Sequence, residues 1–127
     1  MAVVSQSNVD RARRGYEAAL RGDLRAIGEL LDPDVKWHGG DPAAPGACHN
    51  RAQALDFMRQ ARARGRVGDL VDVVDAGDNK VVVIMRPPQE AGAGAELVAN
   101  LTTFREGKVV EMVHYPNPDD ALAAAQI

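Results

Sequence analysis

Cysteine is nearly missing from this chain: Cys48 stands alone among 127 residues. No disulfide can therefore form within it, and a reducing compartment is compatible. Long apolar runs are missing as well, so no segment approaches the length of a membrane span. The opening Met-Ala-Val-Val-Ser-Gln-Ser has neither a basic nor an apolar stretch of the kind a signal peptide needs. These absences predict a cytoplasmic protein without a membrane partner. Basic surplus is also lacking: 15 basic residues face 18 acidic ones, for a net charge of −3. A nucleic-acid partner demands the opposite bias. There is no Gly-rich phosphate loop, no serine-hydrolase elbow, and no HxH or CxxC spacing. His38, Cys48, His49 and His114 accordingly make no metal motif, and neither a metal nor a cofactor is expected.

What is present reads as one globular domain. The length leaves no room for a second core, and 46% hydrophobic with 26% charged residues excludes disorder. Twelve arginines against three lysines hint at a GC-rich bacterial source.

Val9, Ala12, Tyr16, Ala19 and Leu20 form one apolar stripe, predicting a helix over 7–21 with Ser7 as its cap. Gly22 ends it and Asp23 caps a second helix over 23–31, which Pro33 stops. Val35 to His38 is a short extended segment. Three glycines and two prolines among residues 39–50 make a loop. A third helix over 51–62 buries Ala54, Leu55, Met58 and Ala61. The second half alternates as strands. Leu70 to Val74 and Lys80 to Arg86 flank a turn at 75–79, and Glu96 to Arg105 and Lys108 to Tyr115 flank Glu106-Gly107. Gln89 to Gly94 connects the two hairpins, and Asp119 to Gln126 forms a last short helix.

Helices followed by a strand meander predict an α+β fold, a curved antiparallel sheet mainly from residues 67–115 wrapped around the N-terminal helices. The strands at 81–85 and 97–101 are apolar on both faces. A sheet with helices on one face only needs a second cover for such strands, and the simplest is another subunit. A homodimer is therefore expected, with Leu97, Ala99 and Leu101 supplying the outer face.

Several phrases, in order and spacing, resemble the SnoaL-like branch of the nuclear transport factor 2-like superfamily. They are Tyr16-Glu17-Ala18, Arg21-Gly22-Asp23-Leu24, Leu31-Asp32-Pro33-Asp34-Val35-Lys36-Trp37, Phe104 through Glu111, and His114-Tyr115. The resemblance spans about residues 8–117 and implies a cone-shaped α+β fold with a pocket at its open end. Such proteins include ketosteroid isomerases, polyketide cyclases, epoxide hydrolases and proteins without known catalysis, so fold alone does not assign function.

The resemblance marks two candidate catalytic residues. His114 aligns, from the Gly-Lys turn, with a position where the epoxide hydrolases carry an acid/base carboxylate. A histidine there is a general acid or base near neutral pH, or else a hydrogen-bonded pocket wall. Asp41-Pro42 resembles the Asp-Pro that supplies the isomerase base; Asp-Pro is also a common turn start. Other isomerase and hydrolase parts are missing. Tyr16 falls one residue out of step with the isomerase tyrosine, about 100° around the helix, and the strand at 81–85 has no carboxylate.

For substrate binding, Val98, Asn100, Thr102 and Met112 point inward by alternation. On the last strand Val110, Met112 and His114 share one face, with Val109, Glu111, Val113 and Tyr115 on the other. Trp37 resembles the large residue that these proteins place at the strand end by the pocket. The chain thus reads as a small-molecule pocket protein for an apolar ligand. It is an isomerase, cyclase or lyase working by proton transfer next to a carbonyl, or a non-catalytic binding protein, or a dimeric association module.

Overall fold

The computed structural model describes residues 3–65, 68–87 and 97–125. Helix α1 (Val3–Arg21) leads to α2 (Leu24–Leu30), strand β1 (Leu31–His38) and α3 (Arg51–Ala63). Strands β2 (Asp69–Asp75), β3 (Lys80–Arg86), β4 (Val98–Arg105) and β5 (Lys108–Tyr115) follow, then α4 (Pro118–Ala125). The expected connection at Gln89 to Gly94, with Glu96 and Gln126, lies outside the described residues.

Local chemistry explains most boundaries. α1 begins at Val3, so Ser7 lies inside the helix and is not its cap. Gly22 turns left-handed at φ +75°. A side chain there would also be strained against Arg62, whose Nε lies 2.5 Å from where a Cβ would sit. Asp23 then caps α2 by accepting from the Ala26 N–H at 3.1 Å, and Asn50 caps α3 through the Gln53 N–H at 2.9 Å. α2 stops one residue earlier than the apolar stripe suggests. Leu31 is extended at φ −93°, ψ 135° and opens β1, just ahead of Asp32-Pro33, where the proline disfavours helical geometry at Asp32 and stops the helix from continuing. At the last hairpin, Glu106 and Gly107 take φ 53° and 80°, the paired left-handed geometry of a tight two-residue turn.

The sheet order is β1-β5-β4-β3-β2. β2 through β5 pair antiparallel as expected. β1 joins the edge of β5 in parallel, Trp37 opposite Met112, so the sheet is mixed rather than wholly antiparallel. A short segment separated from its partner by two hairpins gives no local sign of its pairing direction.

The inner face carries the main core: Val35, Val81, Val83, Phe104, Val109 and Met112, packed against Ala18, Ile27 and Ala54 of the helices. Each such aliphatic side chain contributes roughly 1.5–3 kcal/mol by leaving water. Val109 belongs to this face, against the expectation of strict alternation. The register between β4 and β5 slips between Thr103 and Phe104, so Phe104 pairs with Val109 while Thr103 pairs with Glu111. The extra residue, Val110, is a β-bulge that lets Val109, Met112 and His114 all serve the inner face.

The outer face has its own core of Val82, Ile84, Ala99 and Leu101, covered by Ala121 and Ala125 of α4. The chain's own last helix thus supplies cover that the two-sided apolar pattern assigned to a second subunit. An eight-residue, alanine-rich helix suits that place because its small side chains allow close approach to the strands.

Candidate functional site

Between the inner sheet face and helices α1 to α3 lies a cavity of about 730 Å³, well within the range of small-molecule sites. Its walls are mostly apolar: Val83, Met85 and Val109 from the strands, and Ile27, Phe57 and Met58 from the helices. Trp37, Asp41, Val98, Asn100, Thr102, Met112 and His114 all line this one volume.

Asn100 and His114 are direct cross-strand partners, and their side chains therefore stand side by side on the inner face. Asn100 is 9% exposed. Its Oδ1 has no hydrogen-bond partner among the described residues. Such an orphan inside a wall of valines and methionines costs about 1–3 kcal/mol unless something else satisfies it. His114 lines the cavity and is exposed. Partial burial pushes its pKa below the usual imidazole value of 6.5, because desolvation disfavours the imidazolium. This favours the neutral, proton-accepting form of the ring. Thr102, 4% exposed, adds a hydroxyl two residues from Asn100.

Trp37 holds the mouth. Its ring meets Phe57 edge-on, with centroids 4.9 Å apart and planes at 72°, a favoured aromatic geometry. The loop after β1 is fastened at both ends. Trp37 and Cys48 exchange backbone hydrogen bonds of 3.0 and 2.8 Å, a bridge the glycine- and proline-rich composition concealed. The Lys36 Nζ donates to the His49 carbonyl at 2.7 Å. His38 Nδ1 accepts from the Gly40 N–H at 3.0 Å, so Nε2 carries the proton and donates to Glu111 Oε2 at 2.9 Å. His38 is thereby a structural anchor for the loop, its side chain only 6% exposed.

Asp41 sits on that loop, exposed, with its carboxylate accepting from the Ala43 N–H at 2.9 Å. That is the Asx-turn geometry of the turn alternative. Cys48 is buried, and burial pushes its thiol pKa up, away from the thiolate that a nucleophile or metal ligand needs. Among the described residues no group of three or more His, Cys, Asp or Glu is placed to hold a metal ion, and no helix is long and apolar enough to cross a membrane.

Phe57 and Tyr16 are among the wall residues missed as such in the sequence. Phe57 falls three residues after buried Ala54, a helical spacing that signals it. Tyr16 also lines the cavity, but its hydroxyl donates to the Gly68 carbonyl at 2.7 Å. Gly68 allows this tight corner, since a Cβ there would collide with the Arg86 carbonyl. Burial, reinforced by the Asp69 carboxylate, pushes the Tyr16 pKa up to about 12. Because this value exceeds the unfolded value of 10, the neutral phenol contributes stability that is complete below pH 10 and lost as pH rises through about 12. Tyr16→Phe is expected to cost about 1 kcal/mol at neutral pH and to weaken the stability loss between pH 9 and 12. Urea unfolding of both proteins at those pH values checks this; parallel pH profiles would contradict it.

Comparison with known proteins places this arrangement. No curated protein matches the sequence. Bal32a, from a soil-derived mobile gene cassette, has a similar structure, with TM-score 0.72 and 24% identity over 88% of this chain and 90% of its own. An NTF2-like protein of unknown function from Burkholderia pseudomallei K96243 gives 0.68 and 21%, covering 95% and 98%. A proposed polyketide cyclase from Xanthomonas campestris pv. campestris gives 0.67 and 20%, covering 96% and 98%. These likenesses establish a shared fold. Residues 12–112 match the family described as the SnoaL-like domain, most of the chain, and the protein therefore belongs to the SnoaL-like family, built on the NTF2-like α+β cone.

Proposed function

We propose that the cavity binds a neutral, largely apolar small molecule carrying a carbonyl, and that His114 moves a proton at the carbon beside it. The observation carrying this reading is the pairing of an accessible imidazole with a buried carboxamide on one wall of a mostly apolar volume. His114 would accept the proton as general base, while the carboxamide supplies hydrogen bonding to the substrate oxygen. Isomerisation, ring closure and elimination all begin with such a step. The structural neighbour described as a proposed polyketide cyclase is consistent with it.

A direct test follows the exchange of α-protons of 2-tetralone in D₂O by proton NMR, with and without the protein. Exchange faster than buffer and faster than an equal concentration of free imidazole supports the proposal. Saturable binding without accelerated exchange favours the second reading, a carrier of apolar ligands. The engagement of the Asp41 carboxylate in its own turn favours that alternative, because it leaves His114 without a second committed acid or base.

A homodimer belongs to the same proposal, through whatever outer-face area α4 leaves uncovered. Sedimentation velocity at micromolar concentration is expected to give a species of twice the 13.6 kDa chain mass; a monomer would rule it out.

A further inference from the structure

Asn100 points to the class of ligand. Its Oδ1 is the one fully buried side-chain oxygen or nitrogen among the described residues without a partner, and the residue lies nine-tenths buried in the cavity wall. Its cross-strand partner His114 is a neutral imidazole, with one nitrogen donating and the other accepting. Rotation about χ2 exchanges the carboxamide's donor and acceptor ends. With its oxygen end turned to the cavity, the pair is satisfied by a group that gives a hydrogen bond to the amide and takes one from the imidazole N–H. An ether, ester or ketone oxygen only accepts, so a carbonyl-bearing substrate meets the amide oxygen as its enol, and a carboxylate pairs instead with Arg11 or Arg62 on the helix side of the same cavity.

We infer that the ligand presents a neutral hydroxyl, as an alcohol, phenol or enol, to the space between Asn100 and His114. This rests on the pocket reading above and adds to it the polar group by which the ligand is chosen. The hydroxyl bridges the two side chains once the amide turns its oxygen, sealed from solvent as it stands, toward the cavity, and so removes the cost of the orphan. The remainder of the ligand is apolar and fills the volume toward Trp37 and Met58. Tyr16 does not compete for the hydroxyl because its own proton is committed to the Gly68 carbonyl.

The test compares 2-naphthol with 2-methoxynaphthalene, binding each to the isotope-labelled protein and following amide shifts by NMR. The methyl ether keeps the ring and the accepting oxygen but loses the donor, and a cavity of about 730 Å³ has room for the added methyl. The expected result is binding of 2-naphthol about tenfold tighter, the value of one net hydrogen bond. Shifts should appear at Val98, Asn100, Met112 and His114. In Asn100→Leu, of similar volume, the preference should fall to about twofold or less, with Asn100→Ala as a second variant should leucine disturb the strands. Equal affinities of the two probes in the unaltered protein would overturn the inference while leaving the pocket reading intact. A preference that survives in both variants would overturn the role of Asn100. Failure of both probes to shift any cavity residue would overturn the inference and the pocket reading together.

Discussion

Replacing His114 by glutamine lowers protein-catalysed exchange of 2-tetralone α-protons by about 10²–10⁴, the usual contribution of a positioned acid or base. Glutamine keeps comparable size and hydrogen bonding but cannot take up the proton. Ligand affinity is therefore expected to change little, and the loss should fall on the rate. An unchanged rate would leave His114 as part of the wall and favour the carrier reading. The pH profile is a second readout. Burial lowers the His114 pKa below 6.5, so the proton-accepting form persists below that pH. The rate should fall as pH drops, with a midpoint below 6.5. A midpoint above 6.5 would mean that a nearby negative charge, rather than desolvation, governs the ring.

How much of this site was legible in the sequence depends on which interactions made it. Asn100, Thr102, Met112 and His114 were readable because strand alternation is a rigid geometric rule. The rule failed at Val109. A single bulge at Val110 changes the parity between the two ends of β5, and nothing in Lys108-Val109-Val110-Glu111 announces where the extra residue falls. Turn chemistry was readable for a similar reason: Gly22, Asp23 and Glu106-Gly107 act within a few residues of chain. The parallel pairing of β1 with β5 and the His38–Glu111 anchor join residues about seventy positions apart, and local pattern is silent about such partners. The cover that α4 gives the outer face was hard to read for a quantitative reason. A weakly patterned alanine-rich helix of eight residues reads as a minor tail, yet it covers Val82 and Ala99 so well that both are 0% exposed.

The largest stability effect is expected at Phe104. Its ring sits on β4 beside the register slip, opposite Val109, and is only 3% exposed. Its backbone N–H donates to the Asn79 carbonyl at 2.8 Å, tying β4 to the β2–β3 turn. That turn is fastened in its own right to α1, where buried Asn8 donates to Asn79 Oδ1 at 3.3 Å and accepts from Arg11 at 3.0 Å. Phe104 therefore fills the place where sheet and first helix are held together. Phe104→Ala removes the ring and leaves a void that these fixed backbones close only partly, for a cost of about 3–5 kcal/mol. Against a typical total of about 5–15 kcal/mol, that brings the domain close to unfolding at 37 °C. Phe57→Ala makes the same chemical change on α3, where the ring is 50% exposed and its main partner is the Trp37 edge. The loss there should be about 1 kcal/mol, mostly the aromatic pair. Urea denaturation of the two variants beside the unaltered protein gives both numbers. If Phe104→Ala costs no more than Phe57→Ala, the inner core does not hinge on this ring, and the bulged register that turns Phe104, Val109 and His114 to one face is wrong.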